Sequence, residues 1–395
     1  MNWLFAHDNR FLEASDGQVY SEVAFSYSNW ERYVAHVDHL TVIARMEPLG
    51  DLDTKLLNLS SGENVAFEGM PNPYGIRAFT PLPRGYKTVL AAVEKADGVI
   101  ARLPSEIGYM AVKAARKTNT PYCIEVVGDA YNAMATYGDW KGKLYAPFAE
   151  RKMRRSISNA NHTLYITDRH LQERYPTSGQ SVSCSNVELS NLEIETIERR
   201  QERNEKPAEK LIIGMNGSLS SPYKGFETAF QALASVKSEL PPFEFRILGR
   251  GSKEDWLGVI EQLGLTEHVV FSGTLPHQGV YEWLDDIDIF LMPSKTEGQG
   301  RALIEALSRG CSCLGSNVGG IPELITKEQL HEPSDTAELA NKLVQLATNP
   351  KQRQRYARLA FERAVTFQSE RLQEIRQQFF QDFKRTIHNK RNEEL

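Results

Sequence analysis

The segment that most restricts the fold of this chain is residues 287–310, IDIFLMPSKTEGQGRALIEALSRG. Residues 287–292 are almost wholly apolar and suit a buried strand, in a run too short for a helix. Residues 293–300 carry Gly298 and Gly300 among polar neighbours and read as a loop. Residues 301–309 put Ala302, Leu303, Ala306 and Leu307 on one helical face, and Gly310 is a good stop. Strand, glycine-bearing loop and helix in that order form the unit of a doubly wound α/β sheet, which binds ligands at the carboxyl ends of its strands. The helix N-terminus offers a phosphate free N–H groups and the positive end of its dipole.

The unit recurs along the chain. Residues 211–215, 243–248, 269–272 and 312–315 read as further strands, with helices over 226–239, 255–263, 336–348, 351–367 and 370–387. In the first half, 2–6, 40–44, 65–67, 98–102, 121–127 and 163–167 read as strands. Residues 19–34, 90–96 and 107–117 read as helices there, and 9–18 as a loop. This alternation predicts parallel sheets. Residues 193–209 are charged and nearly free of large apolar side chains after Ile197, as a linker would be. The division expected is a Rossmann-like domain at 1–192, a linker at 193–209, a second Rossmann-like domain at 210–367 and a final helix at 368–395.

Composition narrows the class. A formal net charge of −5 argues against a general nucleic-acid binder. The short apolar run of residues 3–6 meets His7 and Asp8, so no signal peptide is expected, and no stretch approaches the roughly 20 apolar residues of a membrane span. A cytoplasmic protein is the expectation. Cys123, Cys184, Cys311 and Cys313 form no CxxC pair and no zinc pattern, so reduced core thiols are expected and no metal site.

Several residues are suited to chemistry. Glu305, one turn into its helix, has the right place to accept two hydrogen bonds from vicinal hydroxyls, and Glu297 in the loop to meet a sugar ring. Both also have ordinary readings, as a helix residue favoured by the dipole and a solvated loop residue. Lys224, before Gly225 at a loop-to-helix junction, suits a diphosphate, as does Arg250 between Gly249 and Gly251. Arg301 is a cation at a helix N-terminus, disfavoured there without an anion. His7, Asp8 and Asp129 fall at strand ends, where turn and cap roles compete with catalysis. Arg151, Lys152, Arg154 and Arg155 form either a solvated helix face or a contact for anionic lipid head groups.

Together these residues resemble the retaining, nucleotide-sugar-dependent glycosyltransferases of family 4, which have the GT-B fold. Pro293-Ser294, Glu297-Gly298, Glu305-Ala306 and Gly310 carry the most specific match. Gly217 through Lys224-Gly225 and the GGIPEL run at 319–324 support it. The first half matches more loosely, through HDNRF at 7–11, EVVGD at 125–129 and the YITD and RYP stretches near Tyr165 and Arg174. That subset is similar to bacterial enzymes of surface polysaccharide assembly.

The resemblance implies two Rossmann-like domains facing across a cleft, with the acceptor on the first and a UDP- or GDP-sugar on the second. Gly217, Ser218, Lys224, Arg250 and Arg301 would serve the diphosphate, Glu305 the ribose and Glu297 the transferred sugar. The backbone of Gly298, Gln299 and Gly300 would help hold sugar and phosphate, and Asp129 or His7 would orient the acceptor. It also implies a hexosyl-transferring enzyme with no cofactor or required metal, a glycan or lipid-linked acceptor, and a final helix returning to the first domain. A peripheral contact with the inner membrane surface is consistent with the basic cluster. Ser218 stands where the family carries an arginine, Gln299 where it carries a large apolar residue, and Gly17 is all that remains of an N-terminal glycine-rich loop. Competing readings are a GT-B sugar-nucleotide epimerase or phosphorylase, which an acceptor-free assay separates, and a non-catalytic sugar-nucleotide-binding subunit.

Overall fold

The computed structural model describes residues 1–22, 25–70, 82–137, 140–190, 192–205 and 209–394. They form two compact units, Met1–Tyr131 with Leu144–Cys184 and Gln373–Leu395, and Asn132–Lys143 with Ser185–Leu372.

The sheet of the first unit runs, edge to edge, Val65–Met70, His39–Pro48, Asn2–Glu13, Gly98–Leu103, Tyr122–Val126, His162–Tyr165 and Gln180–Ser183, all parallel. Chain order reverses at Asn2–Glu13, which is the Rossmann arrangement. Val19–Ser21 and Asn58–Leu59 add antiparallel pairs beyond it.

The first strand overruns its expected end at Ala6. Its register on His39–Pro48 shifts between Ala6 and Arg10, so His7, Asp8 and Asn9 form a bulge and pairing resumes beyond them. The bulge re-aims Asp8, whose carboxylate accepts the N–H groups of Glu106 (2.7 Å) and Ile107 (2.8 Å). It thereby caps the helix Glu106–Thr118 and meets the positive end of its dipole. The helix expected over 19–34 is instead the strand Val19–Ser21 and a helix over Ser28–Val34, while residues 23–24 lie outside the described ones. Tertiary packing decides this: Trp30 and Tyr33 are buried against the rings of Phe5, Phe11 and Phe25. The last helix, Ser369–Glu394, lays Phe380 and Phe383 on Trp3, at ring centroid distances of 5.8 and 5.2 Å.

The second unit is a six-stranded parallel sheet ordered Val269–Gly273, Phe243–Leu248, Leu211–Asn216, Ile289–Met292, Ser312–Ser316 and Leu330–His331. Chain order reverses between Leu211–Asn216 and Ile289–Met292. Phe226, Phe230, Phe245, Leu343 and Tyr356 are among the large side chains of its core.

Residues 193–209 do not form an extended linker where they are described. Ile194–Glu205 is a helix of the second unit, and residues 206–208 lie outside the described ones. Its Arg200 is 3% exposed and donates to the carbonyls of Leu284 (2.8 Å), Arg309 (3.2 Å) and Ile287. Arg203 pairs with Asp288 at 2.7 Å. Two of the charges that make the stretch look solvated, Arg200 and Arg203, are therefore satisfied by the body of the unit, while most of the others face solvent. After residues 132–143, which also belong to that unit, the chain re-enters it at Ser185, ahead of the expected boundary. Cys311 and Cys313 are buried, and Cys313 lies in the strand Ser312–Ser316. Among the described residues no helix is long and apolar enough to cross a membrane.

Candidate active site

In an open α/β sheet the crevice for a ligand lies outside the carboxyl ends of the two strands where chain order reverses. In the second unit those ends lead into residues 217–225 and 293–300. These are the two loops in which the sequence places Gly217, Ser218, Lys224, Glu297, Gly298, Gln299 and Gly300. The Lys295 N–H donates to the Tyr223 carbonyl at 2.7 Å and ties the loops together. Gly225 has φ +82°, and a Cβ there would lie 1.9 Å from the Pro293 carbonyl oxygen. Only glycine allows this approach. Gly319, at φ +56°, sits equally close to the Glu297 carbonyl, so GGIPEL braces the loop from its other side.

Lys224 and Glu297 meet. The Lys224 Nζ donates to Glu297 Oε1 at 2.6 Å, and Ser294 Oγ donates to the same oxygen at 2.9 Å. The two side chains are 16% and 11% exposed, enough shielding from water for their charges to act strongly on a nearby group. Gly298 accepts from the Gly320 N–H at 3.0 Å, and Gly300, at φ +92°, is the residue from which the helix Arg301–Ser308 starts. That helix aims its N-terminus at the same loops.

Glu305 is buried at 8% exposure, and burial pushes its carboxyl above the usual range, against the smaller opposing effects of Arg301 and His277. Arg301 approaches it at 3.5 Å and is itself largely exposed. A shielded carboxylate with one partner at that distance suits hydroxyl donors. Tyr281, on the helix His277–Asp285, feels the Glu305 charge, and its ring meets that of His277 at 5.0 Å. The sequence reading missed this helix, although Val280, Tyr281, Trp283 and Leu284 fall at the spacing of one helical face.

The remaining donor-side candidates are more peripheral. Arg250 is exposed, and its carbonyl accepts the Leu219 N–H at 2.8 Å. Ser218 accepts the Ser221 N–H at 3.0 Å through its carbonyl. Gln299 is held by a residue that sequence reading missed: buried Ser185 donates its hydroxyl to Gln299 Oε1 at 2.8 Å.

In the first unit, His7 sits in the bulge of the central strand. Burial, then Arg102 and Arg45, push its pKa down to about 3. Its Nδ1 accepts the Asn9 N–H at 3.1 Å, so the neutral ring carries its proton on Nε2. Asp129 is buried, its Oδ1 accepting from the Tyr175 hydroxyl at 2.7 Å and its Oδ2 ion-paired with Arg174 at 2.9 Å. Both oxygens thus have structural partners.

Residues 196–363 match the family model described as glycosyl transferases group 1. The chain is 28% identical to Protein CapJ of Staphylococcus aureus, over 86% of this chain and 84% of that one. It is 36% identical to the putative colanic acid biosynthesis glycosyltransferase WcaL of Escherichia coli (strain K12), over 30% of this chain and 32% of that one. Its fold is similar to that of Anabaena Alr3699/HepE, solved in complex with UDP, with a TM-score of 0.64 at 18% identity over 97% and 99% of the two chains. The chain is thus a glycosyltransferase of the GT-B fold, with two Rossmann-like units and a group 1 domain at residues 196–363.

Proposed function

We propose that this glycosyltransferase moves a hexosyl group from a UDP- or GDP-sugar to a hydroxyl of a glycan or lipid-linked acceptor, with retention at the anomeric carbon, in the assembly of a cell-surface polysaccharide. The observation that carries the reading is the Lys224–Glu297–Ser294 cluster at the sheet's switch point, beside a helix N-terminus. In this reading Lys224 and the helix N-terminus take the charge of the departing diphosphate, with Arg250 and Arg301 as outer cations. Stabilising charge that develops in the transition state is usually a large catalytic term, and fixed groups supply it here without a required metal. Glu305 takes the ribose hydroxyls, and Gly217, Ser218 and the backbone of residues 298–300 complete the contacts to phosphate and sugar.

The chemistry is a front-side displacement. The acceptor oxygen bonds to the anomeric carbon on the face from which the diphosphate oxygen leaves, and the acceptor proton passes to that leaving oxygen. No protein nucleophile is needed. Glu297 positions the sugar, since its carboxylate is fixed by Lys224 and Ser294. On the acceptor side His7 is favoured over Asp129, whose oxygens already have partners; neutral His7 offers an Nε2–H donor to an acceptor hydroxyl.

The relatives support the biological context: WcaL is named for colanic acid biosynthesis, and HepE was solved with UDP. The test is a thermal-shift panel of UDP- and GDP-sugars followed by donor hydrolysis and transfer with the best binder. Stabilisation by one nucleotide family and α-linked product from an α-linked donor are expected. No shift with any sugar nucleotide, or an inverted product, overturns the reading.

A further inference from the structure

The helix Trp140–Ile157 carries two opposed stripes. Within its part in the first unit, Ala146, Ala149, Met153 and Ile157 are buried. At 100° per residue these four lie on one side of the helix. Leu144, Phe148, Arg151 and Arg155 fall on the other side, and all four are exposed. Leu144 is 68% and Phe148 66% exposed, far beyond what isolated surface apolars need, and Tyr145 stacks beside Phe148 with ring centroids 6.4 Å apart.

The charge of this segment opposes that of the whole chain. Residues 144–157 hold four cations, Arg151, Lys152, Arg154 and Arg155, against the one carboxylate of Glu150, while the chain has a net charge of −5. Arg154 pairs with Glu150 at 3.2 Å, and Lys152 with Glu106. Arg151 and Arg155 stay on the outward stripe, in line with Leu144 and Phe148. A helix lying flat in a bilayer interface has this make-up, with large apolar side chains entering the head-group boundary and cations beside them to meet anionic lipid. Aromatic side chains and arginines also serve protein interfaces, but four cations against one carboxylate on one helix of a net-negative chain suit an extended anionic surface.

We propose that residues 144–155 are a docking face for an anionic membrane surface, with Leu144, Tyr145 and Phe148 entering the interface and Arg151 and Arg155 meeting lipid phosphates. The face is independent of the donor residues and goes beyond the proposed function, adding the surface on which the enzyme would work.

The experiment is flotation of the full chain with vesicles of mixed phosphatidylglycerol and phosphatidylcholine, and with phosphatidylcholine alone. Binding to the anionic vesicles only, weakened by added salt, is expected. Reversing two cations in Arg151→Glu/Arg155→Glu is expected to weaken binding about thirtyfold or more. Leu144→Ser/Phe148→Ser should lose on the order of tenfold or more. Both variants change exposed side chains, so their circular dichroism and donor-induced thermal shifts should match the parent. Equal binding to both vesicle types, or full binding by either double variant, overturns the proposal. So does self-association that the Leu144→Ser/Phe148→Ser pair abolishes while no vesicle is bound, which would make the face an interface between copies. A chain that shifts with donor yet ignores vesicles refutes this face alone and leaves the donor reading standing.

Discussion

The ammonium of Lys224 stands 2.6 Å from Glu297 Oε1, so the cation suited to a diphosphate and the carboxylate suited to a sugar ring hold each other. Each is thereby pre-positioned by the other. Removing one partner leaves the other in a shielded site, so the two positions must behave as a coupled pair. Glu297→Ala is expected to reduce kcat for transfer by about a hundredfold or more, with UDP or GDP affinity nearly unchanged. Lys224→Ala is expected to weaken nucleoside diphosphates at least tenfold and to leave the bare nucleoside unaffected. The double variant should lose less than the sum of the singles. Calorimetric titration with nucleoside and nucleoside diphosphate, beside single-turnover transfer, checks all three, and wild-type turnover in Glu297→Ala would remove Glu297 from the site.

Glu305 sets stability against function. Burial raises its pKa from the ordinary 4.5, against the weaker pull of Arg301 and His277. A carboxyl raised in the fold is favoured when protonated, so its contribution is fully present below the unfolded value and fades as pH rises through the folded one. At neutral pH the buried carboxyl therefore costs stability relative to acid pH. Glu305→Gln is expected to raise Tm at pH 7 by about 2–4 °C for each kcal/mol of burial cost removed, and to raise it little at pH 4. The same change should weaken sugar-nucleotide binding about tenfold, since an amide offers one acceptor oxygen to a diol instead of two. Melting curves at the two pH values, paired with donor titrations, measure both effects. A Tm unchanged at pH 7 would show that Glu305 carries no burial cost.

His7 titrates far from the physiological range. Its pKa of about 3 means that the ring is neutral at pH 5–8, so a pH–rate profile should show no step from this residue there. A histidine lowered in the fold gives stability that is present above its unfolded value of 6.5 and is lost as pH falls towards 3. By pH 5 the loss amounts to about 2 kcal/mol. His7→Gln keeps a hydrogen-bond donor without a titration, so its stability should fall less than that of wild type between pH 7 and pH 5. Urea unfolding at the two pH values tests the difference. Equal slopes would mean that His7 is protonated in the fold.

What was legible depended on how local the signal is. The donor loops could be read because Gly298, Gly300 and Gly225 lie within a few residues of the charges that they expose, and the strands beside them are short apolar runs. The Ser185–Gln299 hydrogen bond could not be read, because it joins residues 114 apart and serine carries no pattern of its own. Nor could the bulge at His7–Asn9, where three residues face one on the partner strand and the two extra residues leave the alternation of side chains intact on either side. The Trp30 and Tyr33 cluster looks like one long helix because aromatic spacing says nothing about which sheet face will claim the rings. The clearest divergence is at residues 193–209. Charge density suggests solvent there, yet Arg200 is sealed in by three carbonyl oxygens at the edge of the second unit.

That arrangement makes Arg200 a strong structural residue with no expected contact to donor. Its guanidinium closes the carbonyls of Leu284 and Ile287, just ahead of the strand Ile289–Met292, and of Arg309, just after the helix Arg301–Ser308. It therefore ties together both ends of the strand–loop–helix segment that holds Glu297 and Glu305. Arg200→Ala removes the donors, leaves the Ile287 and Arg309 carbonyls without this partner and opens a cavity, while Leu284 keeps the Ile287 N–H and the Cys311 thiol. It is expected to cost about 3–5 kcal/mol of stability. Arg200→Lys keeps one cationic donor group but not the planar fork, and should recover less than half of that loss. Donor affinity measured well below the lowered melting temperature should stay within about threefold of wild type, since the residue acts through folding. Chemical denaturation gives the first quantity and titration the second. A large loss of affinity without a loss of stability would instead assign Arg200 to the binding site.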